Sequence, residues 1–482
     1  MTKNSHDIGV LIAATVATAC ALPSHARAAQ AAVPDERPQN ILLIISDDLN
    51  SWIGPMGGHP QARTPALDKL AARGVTFMNA HCPAPLCNPS RAAFMSGLRP
   101  STTGIYLNGH YWVRYIGRGL CINDHVRDHG FKSYSAGKVY HYNKYRAADW
   151  DEVFYERDDT LPGPAGRNAK RRPGPYGYRM FTDGEPSEPF NEKRDERTLI
   201  DARGVDWCIE KLGSVNAKKR FFMACGIHRP HTPWDVPKKY FDMYPLETLE
   251  LPKTLRDDLS DVPAPGVEFT KGGKTHKTIL EMGIWKDRVR AYLAAISFMD
   301  AQVGRLLDAL AESPHAENTV VVFVGDNGWH LGEKEHWGKT TLWAPASQVP
   351  MIWAGPGVAK GAKTDAAVDL MSLYPTLCDM AAITTPKHVD GANIKPLLKN
   401  PSAKWSRPAL TTMDKGNHAI TTADWRYIRY ADGSEELYNR KNDPREWTNL
   451  ADKRELKSVK RELAAFLPTK NAEPVKYEAN KR

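Results

Sequence analysis

Four apolar runs in this chain are long enough to be strands, and two stretches repeat apolar residues at helical spacing. Residues 40–46, Asn-Ile-Leu-Leu-Ile-Ile-Ser, are apolar without alternation, the pattern of a strand buried on both faces of a parallel sheet. Phe221–Ile227, Val349–Ala354 and the β-branched Thr319–Val324 repeat that pattern. Helical patterning covers Pro65–Arg73. From Trp285 to Ala311, Leu293, Ile296, Val303, Leu306, Leu307 and Leu310 fall on one face. A further strand–helix alternation runs through Gly137-Lys138. Three strands end in polar residues that can do chemistry: Asp47-Asp48, His228 and Asp326-Asn327. The alternation predicts an α/β fold, a large mixed, mostly parallel sheet sandwiched by helices. Ligands of such sheets gather at the carboxyl ends of the strands.

The tail reads differently. Ala423–Tyr430, the turn Asp432-Gly433 and Glu436–Tyr438 predict a hairpin, and residues 451–466 a terminal helix. This predicts a smaller C-terminal subdomain, residues 405–482, with an antiparallel sheet, after a main domain over 38–404. Residues 151–200 and 244–277 are polar, Pro-containing excursions without a clear period.

Composition narrows the class. Charged residues make up 25% of 482, which fits a globular chain. The net charge of +9 is spread without a Lys/Arg block, so no nucleic-acid arm is expected, and it suits an anionic substrate. Residues 1–28 read as an export signal: Lys3, an apolar stretch from Ile8 to Leu22, and Ala26-Arg27-Ala28 as cleavage site. The apolar stretch is short for a membrane span. The chain is therefore expected to be exported, periplasmic or secreted, without stable membrane insertion. Seven irregularly spaced cysteines are not a disulfide framework, and none falls at a zinc spacing.

The most specific signal is Cys87-Asn-Pro-Ser-Arg-Ala-Ala-Phe-Met-Ser-Gly97. Cys-x-Pro alone would read as a buried cysteine before a helix. Asp47-Asp48 alone would read as a loop or cap. Together with Asp326-Asn327 after a second buried strand, they offer oxygen ligands for a hard cation such as Ca²⁺ or Mg²⁺.

These segments resemble the formylglycine-dependent sulfatases of the alkaline phosphatase superfamily, most of all iduronate-2-sulfatases and related bacterial glycan sulfatases. The likeness extends through Ser135–His141, Gly226–His231, Met299–Leu307 and Asp326–Lys339. It implies that Cys87 is oxidised to formylglycine by a separate maturation enzyme and acts as the nucleophile. Asp47, Asp48, Asp326 and Asn327, with modified Cys87, would hold a divalent cation, Ca²⁺ by resemblance. Arg91 would stabilise the nucleophile, and Lys138 and Lys339 would bind sulfate oxygens. His228 would protonate the leaving alcohol, and His141 would be the base that frees sulfate and restores the aldehyde. His231, Trp329 and His336 would line or support the site. Trp112 and Arg114 resemble a substrate-facing segment, with Val113 as an extra residue. Asn327 departs from iduronate-2-sulfatases, which have histidine there; asparagine is common in other sulfatases, so the metal site is kept while a close substrate match is weakened. The expected activity is O-desulfation of a sulfated carbohydrate, uronate-2-sulfate-like. Choline-sulfate-type esters or phosphonate/phosphate monoesters are the alternatives on this fold. A non-catalytic glycan-binding protein would require failure of the modification or a broken site, and every motif position is intact.

Overall fold

The apolar run at 40–46 forms the strand Asn40–Asp47, which lies inside an eight-stranded sheet. The computed structural model describes residues 40–141, 146–154 and 196–478. The expected leader and most of the 151–200 excursion lie outside the described residues. In spatial order the strands are Ala362–Thr364, Gly74–Phe77, Met351–Ala354, Thr319–Gly325, Asn40–Asp47, Phe221–Pro230, Lys132–Gly137 and Glu152–Phe154. Met351–Ala354 pairs antiparallel with both neighbours, and the other ladders are parallel.

Both faces of the central strand are covered, which explains its unbroken apolar sequence. Successive side chains point to opposite faces. Ile41, Leu43 and Ile45 join a core with Phe94, Met95 and Leu377. Leu42 and Ile44 join the opposite core with Val205, Leu293, Ile296 and Val303. The helical pattern from Trp285 becomes a 28-residue helix, Trp285–Glu312, which packs on that second face. Among the described residues, no helix is long and apolar enough to cross a membrane.

The tail hairpin is Trp425–Arg429 with Glu435–Asn439, and two more strands, Ala409–Thr412 and His418–Thr421, extend it to a four-stranded antiparallel sheet. This sheet braces the segments that carry the chemistry. Thr411 Oγ1 donates to the Cys82 carbonyl at 2.7 Å, and the Thr412 amide to that of Pro83 at 2.9 Å. Two expectations are corrected. The stretch 244–277 contains the helix Ala264–Phe269 and the start of the helix Lys274–Glu281. There Trp337 Nε1 donates to His276 Nδ1 at 3.0 Å, a tertiary contact that local polarity hides. The terminal helix is only Lys457–Ala464, preceded by a 3₁₀ turn.

One side chain ties the long helix to Pro65–Ala72. Asp300 accepts the amides of Ala66 and Leu67 at 3.0 and 2.9 Å, so it caps that helix from a distance. Burial raises its carboxyl from 3.8 to about 7. Between those values the folded chain holds a proton that the unfolded chain has lost. Stability from this group therefore falls as pH rises from about 4 to 7. Asp300→Ala should lower stability by about 1–2 kcal/mol and remove that pH component, measured as the thermal midpoint across pH 4–8.

Candidate active site

The central strand and its neighbour end side by side. Ser46 pairs with Gly325, so Asp47 and Asp326 follow at one level. Asp48 takes a left-handed conformation, φ +59°, which Asp tolerates better than most residues. Neighbours hold it there: its carbonyl accepts Tyr292 Oη at 2.7 Å, and its amide donates to Asp326 Oδ1 at 3.0 Å. Asn327 Nδ2 donates to Asp48 Oδ1 at 2.7 Å. All four side chains are buried.

Cys87 opens the helix Cys87–Ser96, whose first turn tolerates Pro89 because amides there have no intrahelical partner. The helix therefore aims its positive end at the strand termini. Cys87 Sγ lies 3.7 Å from Asp48 Oδ1 and 2.8 Å from Lys339 Nζ. One turn later Arg91 reaches Asp326 Oδ2 at 2.6 Å and Asp47 Oδ1 at 3.1 Å. Its neighbour Ser90 donates Oγ to the Asp326 carbonyl at 2.5 Å.

Lys138 arrives from the strand Lys132–Gly137. Its backbone crosses so close to Gly226 that a Cβ there would lie 2.0 Å from the Lys138 carbonyl carbon, which requires glycine. The ammonium pairs with Asp47 Oδ2. The register between the Asn40 and Phe221 strands shifts after Ser46: Ser46 faces Ile227, but Asp47 faces Pro230. His228 and Arg229 form the extra step, a bulge of the kind that re-aims side chains. Asp201 holds the bulge by accepting both amides, at 2.6 and 3.2 Å. His228 Nδ1 then lies 3.9 Å from Asp47 Oδ2, and His231 Nε2 3.6 Å from Asp48 Oδ2.

The charges are strongly coupled. Burial disfavours the Asp47 charge, yet Lys138, His231 and Arg91 hold its carboxyl well below the usual range. Burial, with Asp47 and Asp48 nearby, raises Asp326 to about 7 despite Arg91. Burial works against the Lys339 charge, but Asp48 and Cys87 hold its ammonium above the ordinary value. Burial, with Asp47 beside it, pushes the Cys87 thiol far up. Reactive thiols need the opposite shift, so an unmodified Cys87 would be a poor nucleophile.

The donor set fits a hard cation. Asp48 Oδ2 and Asn327 Oδ1 are buried oxygens without a hydrogen-bond partner. Ligand atoms of Asp47, Cys87 and Asp326 lie within 4.8 Å of one another, as do those of Asp48, Cys87 and His231. Buried oxygens of this kind are what Ca²⁺ or Mg²⁺ would satisfy.

The structure thus brings together Asp47, Asp48, Cys87, Arg91, Lys138, His228, His231, Asp326, Asn327 and Lys339. Trp329 lies beneath Lys339, whose ammonium is 5.6 Å from the ring centre. His336 contacts the Lys339 carbonyl at 2.9 Å. His141 is half-buried, just beyond Lys138 in the chain. The expectation that Trp112 faces a sugar is corrected. It is 1% exposed, stacked on Tyr140 at 4.4 Å, with the Arg146 guanidinium over its ring. Its packing leaves no face for a ligand. The Arg114 side chain is 59% exposed and pairs with Glu478. The sequence did not point to Asp201 or Tyr292, and Ser90, inside the Cys87 motif, carries no role in the sequence reading. Asp201 has only a weak signal, an acidic residue in the first turn of the helix Ile200–Ser214.

Comparison with known proteins gives a consistent result. The sulfatase family profile matches residues 39–383, and that of the N-sulphoglucosamine sulphohydrolase C-terminal region matches 332–473. A sulfatase of Formosa agariphila is 39% identical over 451 residues, covering 90% of this chain and 87% of that protein. Human iduronate 2-sulfatase is 29% identical over 392 residues, covering 72% and 70%. The phosphonate monoester hydrolase of Agrobacterium radiobacter shares the fold, with a TM-score of 0.72 at 19% identity over 89% of this chain and 94% of that one. The profile spans well over half the chain and a relative above 30% identity covers most of it, so the chain belongs to the sulfatase family and is a sulfuric ester hydrolase.

Proposed function

We propose that this hydrolase removes O-sulfate from a sulfated carbohydrate, using formylglycine made from Cys87 and one divalent cation. The observation that carries the reading is Cys87 itself. It sits at a helix N-terminus between Lys339 and the carboxylates, where burial pushes its thiol pKa up. That is a poor place for a thiol nucleophile and a good one for an oxygen nucleophile facing an anion. A bound cation and an aldehyde hydrate at position 87 would supply charge neutralisation and the attacking oxygen.

The chain's own residues do the rest. Lys339 and Lys138 bind the sulfate oxygens and stabilise charge as the S–O bond breaks. Arg91 fixes Asp47 and Asp326 in place. His228, held by the Asp201-pinned bulge, protonates the departing alcohol. His141 is the base that resets the site afterwards. The likeness to human iduronate 2-sulfatase and the net positive charge of the chain support a sulfated glycan, of uronate-2-sulfate type. Hydrolysis of phosphonate or phosphate monoesters is the second reading, favoured by the fold shared with a phosphonate monoester hydrolase. Maturation by a formylglycine-generating enzyme and export from the cytoplasm belong to the same proposal.

The deciding experiment compares release of sulfate from sulfated disaccharides with release of phosphate from aryl phosphates and phosphonates. Dominant sulfate release supports the reading; dominant phosphorus chemistry rejects it. In active protein the Cys87 peptide should lack one sulfur and two hydrogens and carry one extra oxygen. Cys87→Ala should lower turnover more than about a thousandfold with the fold intact by circular dichroism. Elemental analysis should find about one divalent ion per chain, lost in Asp326→Ala, and a chelator should silence the enzyme reversibly. His228→Ala should cost about 10²–10³ in kcat on sugar sulfates, whose leaving group needs a proton. The loss should be much smaller on 4-nitrophenyl sulfate. Equal losses would remove His228 from that role.

A further inference from the structure

The C-terminal residues 472–478 do not trail into solvent. They return to the main body and lie along residues 101–110. The Ala472 amide donates to the Ser101 carbonyl at 2.8 Å, that of Val475 to Gly104 at 3.0 Å, and that of Glu478 to Gly109 at 3.0 Å. Tyr106 Oη donates to the Ala472 carbonyl at 2.9 Å. The seat is shaped for this strap. A Cβ at Gly104 would meet the Glu473 carbonyl oxygen at 2.1 Å, and one at Gly109 would meet the Tyr477 ring at 2.0 Å. Two glycines thus leave room for two contacts along the strap, at Glu473 and Tyr477, and His110 forms a β-bridge with Tyr477.

The same segment is bonded to the neighbour of the nucleophile. Asn88 Nδ2 donates to the carbonyls of Leu107 and His110 at 3.0 and 2.8 Å, and the Asn88 amide donates to Asn108 Oδ1 at 3.0 Å. Two steps therefore connect Cys87 to Tyr477: Cys87-Asn88 to His110, and His110 to the Tyr477 ring, 6.2 Å between centres. Tyr477 is 61% exposed, the most exposed large apolar side chain among the described residues. Its ring is seated on the Gly109 backbone and leaves most of its surface to solvent. The Arg114 guanidinium stands nearby, held by Glu478.

We propose that the strap forms part of the rim of the site and that Tyr477 is a substrate-binding residue, packing against a pyranose ring of the saccharide beyond the sulfated group. The inference rests on the glycan reading above. A large exposed aromatic fixed by backbone bonds is preorganised to bind, because little ordering remains when a ligand arrives. Sugar rings present apolar C–H faces that such a ring covers, and hydrogen bonds from neighbouring polar groups give orientation.

The test compares kcat and KM of the mature holoenzyme, Tyr477→Ala and Tyr477→Phe. The probes are a 2-O-sulfated heparin-derived tetrasaccharide and 4-nitrophenyl sulfate. Tyr477→Ala should raise KM for the tetrasaccharide about tenfold, with kcat nearly kept and a several-fold smaller effect on the aryl ester. Tyr477→Phe should restore most of the loss, because it keeps the ring. Equal losses on both probes would mean that the strap only supports the Cys87 segment, and would overturn the inference. So would an unchanged tetrasaccharide KM. A wild-type enzyme that cleaves 4-nitrophenyl sulfate but no sulfated saccharide would reject the glycan reading and this inference with it.

Discussion

The site is organised around one buried guanidinium. Two parallel strands that end side by side place Asp47 and Asp326 at one level, where like charges repel. Arg91 lies between them, fully buried, bonded to both. Breaking such a buried pair by removing one partner costs about 3–5 kcal/mol, because the remaining charges stay desolvated. The helix that carries Arg91 also carries Cys87, one turn earlier. The ion pairs that hold the strand ends therefore also fix where position 87 stands.

Around that centre, supporting groups act on backbone rather than on ligand. Tyr292 holds the left-handed Asp48, Asp201 pins the His228 bulge, and Ser90 ties the helix to the Asp326 carbonyl. The small C-terminal sheet serves the segment after Lys339. Trp343 Nε1 donates to buried Glu436 at 2.8 Å, and Arg426 reaches the Leu342 carbonyl at 3.0 Å. On the other side the Thr340 amide donates to the Pro85 carbonyl at 3.0 Å, two residues before Cys87. The segment bearing Lys339 is thus held between that sheet and the Cys87 loop.

How much of this was legible depended on the range of the cause. Buried strands announce themselves locally, so Asn40–Asp47 and Thr319–Gly325 were readable with the carboxylates at their ends. The sheet order was not, because the antiparallel pairing of Met351–Ala354 is decided by its neighbours. Cys87, Arg91, Lys138 and Lys339 lie in short motifs, and they meet in space. Asp201 and Tyr292 act through bonds to backbone far along the chain, which leave no local pattern. Trp112 shows the reverse error. The residue type suited a sugar platform, but Tyr140 and Arg146 had already covered it. The helices within 244–277 were missed because buried partners, not local periodicity, stabilise them.

The burial of Cys87 also bears on time. Its side chain has no solvent exposure in the finished fold, and one of the groups that closes over it, Lys339, follows 252 residues later in the chain. At about 5–20 residues per second, synthesis leaves a gap of roughly ten to fifty seconds in which position 87 has emerged and its cover has not. Any enzyme that alters this side chain competes with that clock. Once the late strand and the Lys339 loop dock, the sulfur is covered, with the Lys339 ammonium against it. A bulky reagent therefore meets this sulfur more readily on the emerging chain than in the finished fold.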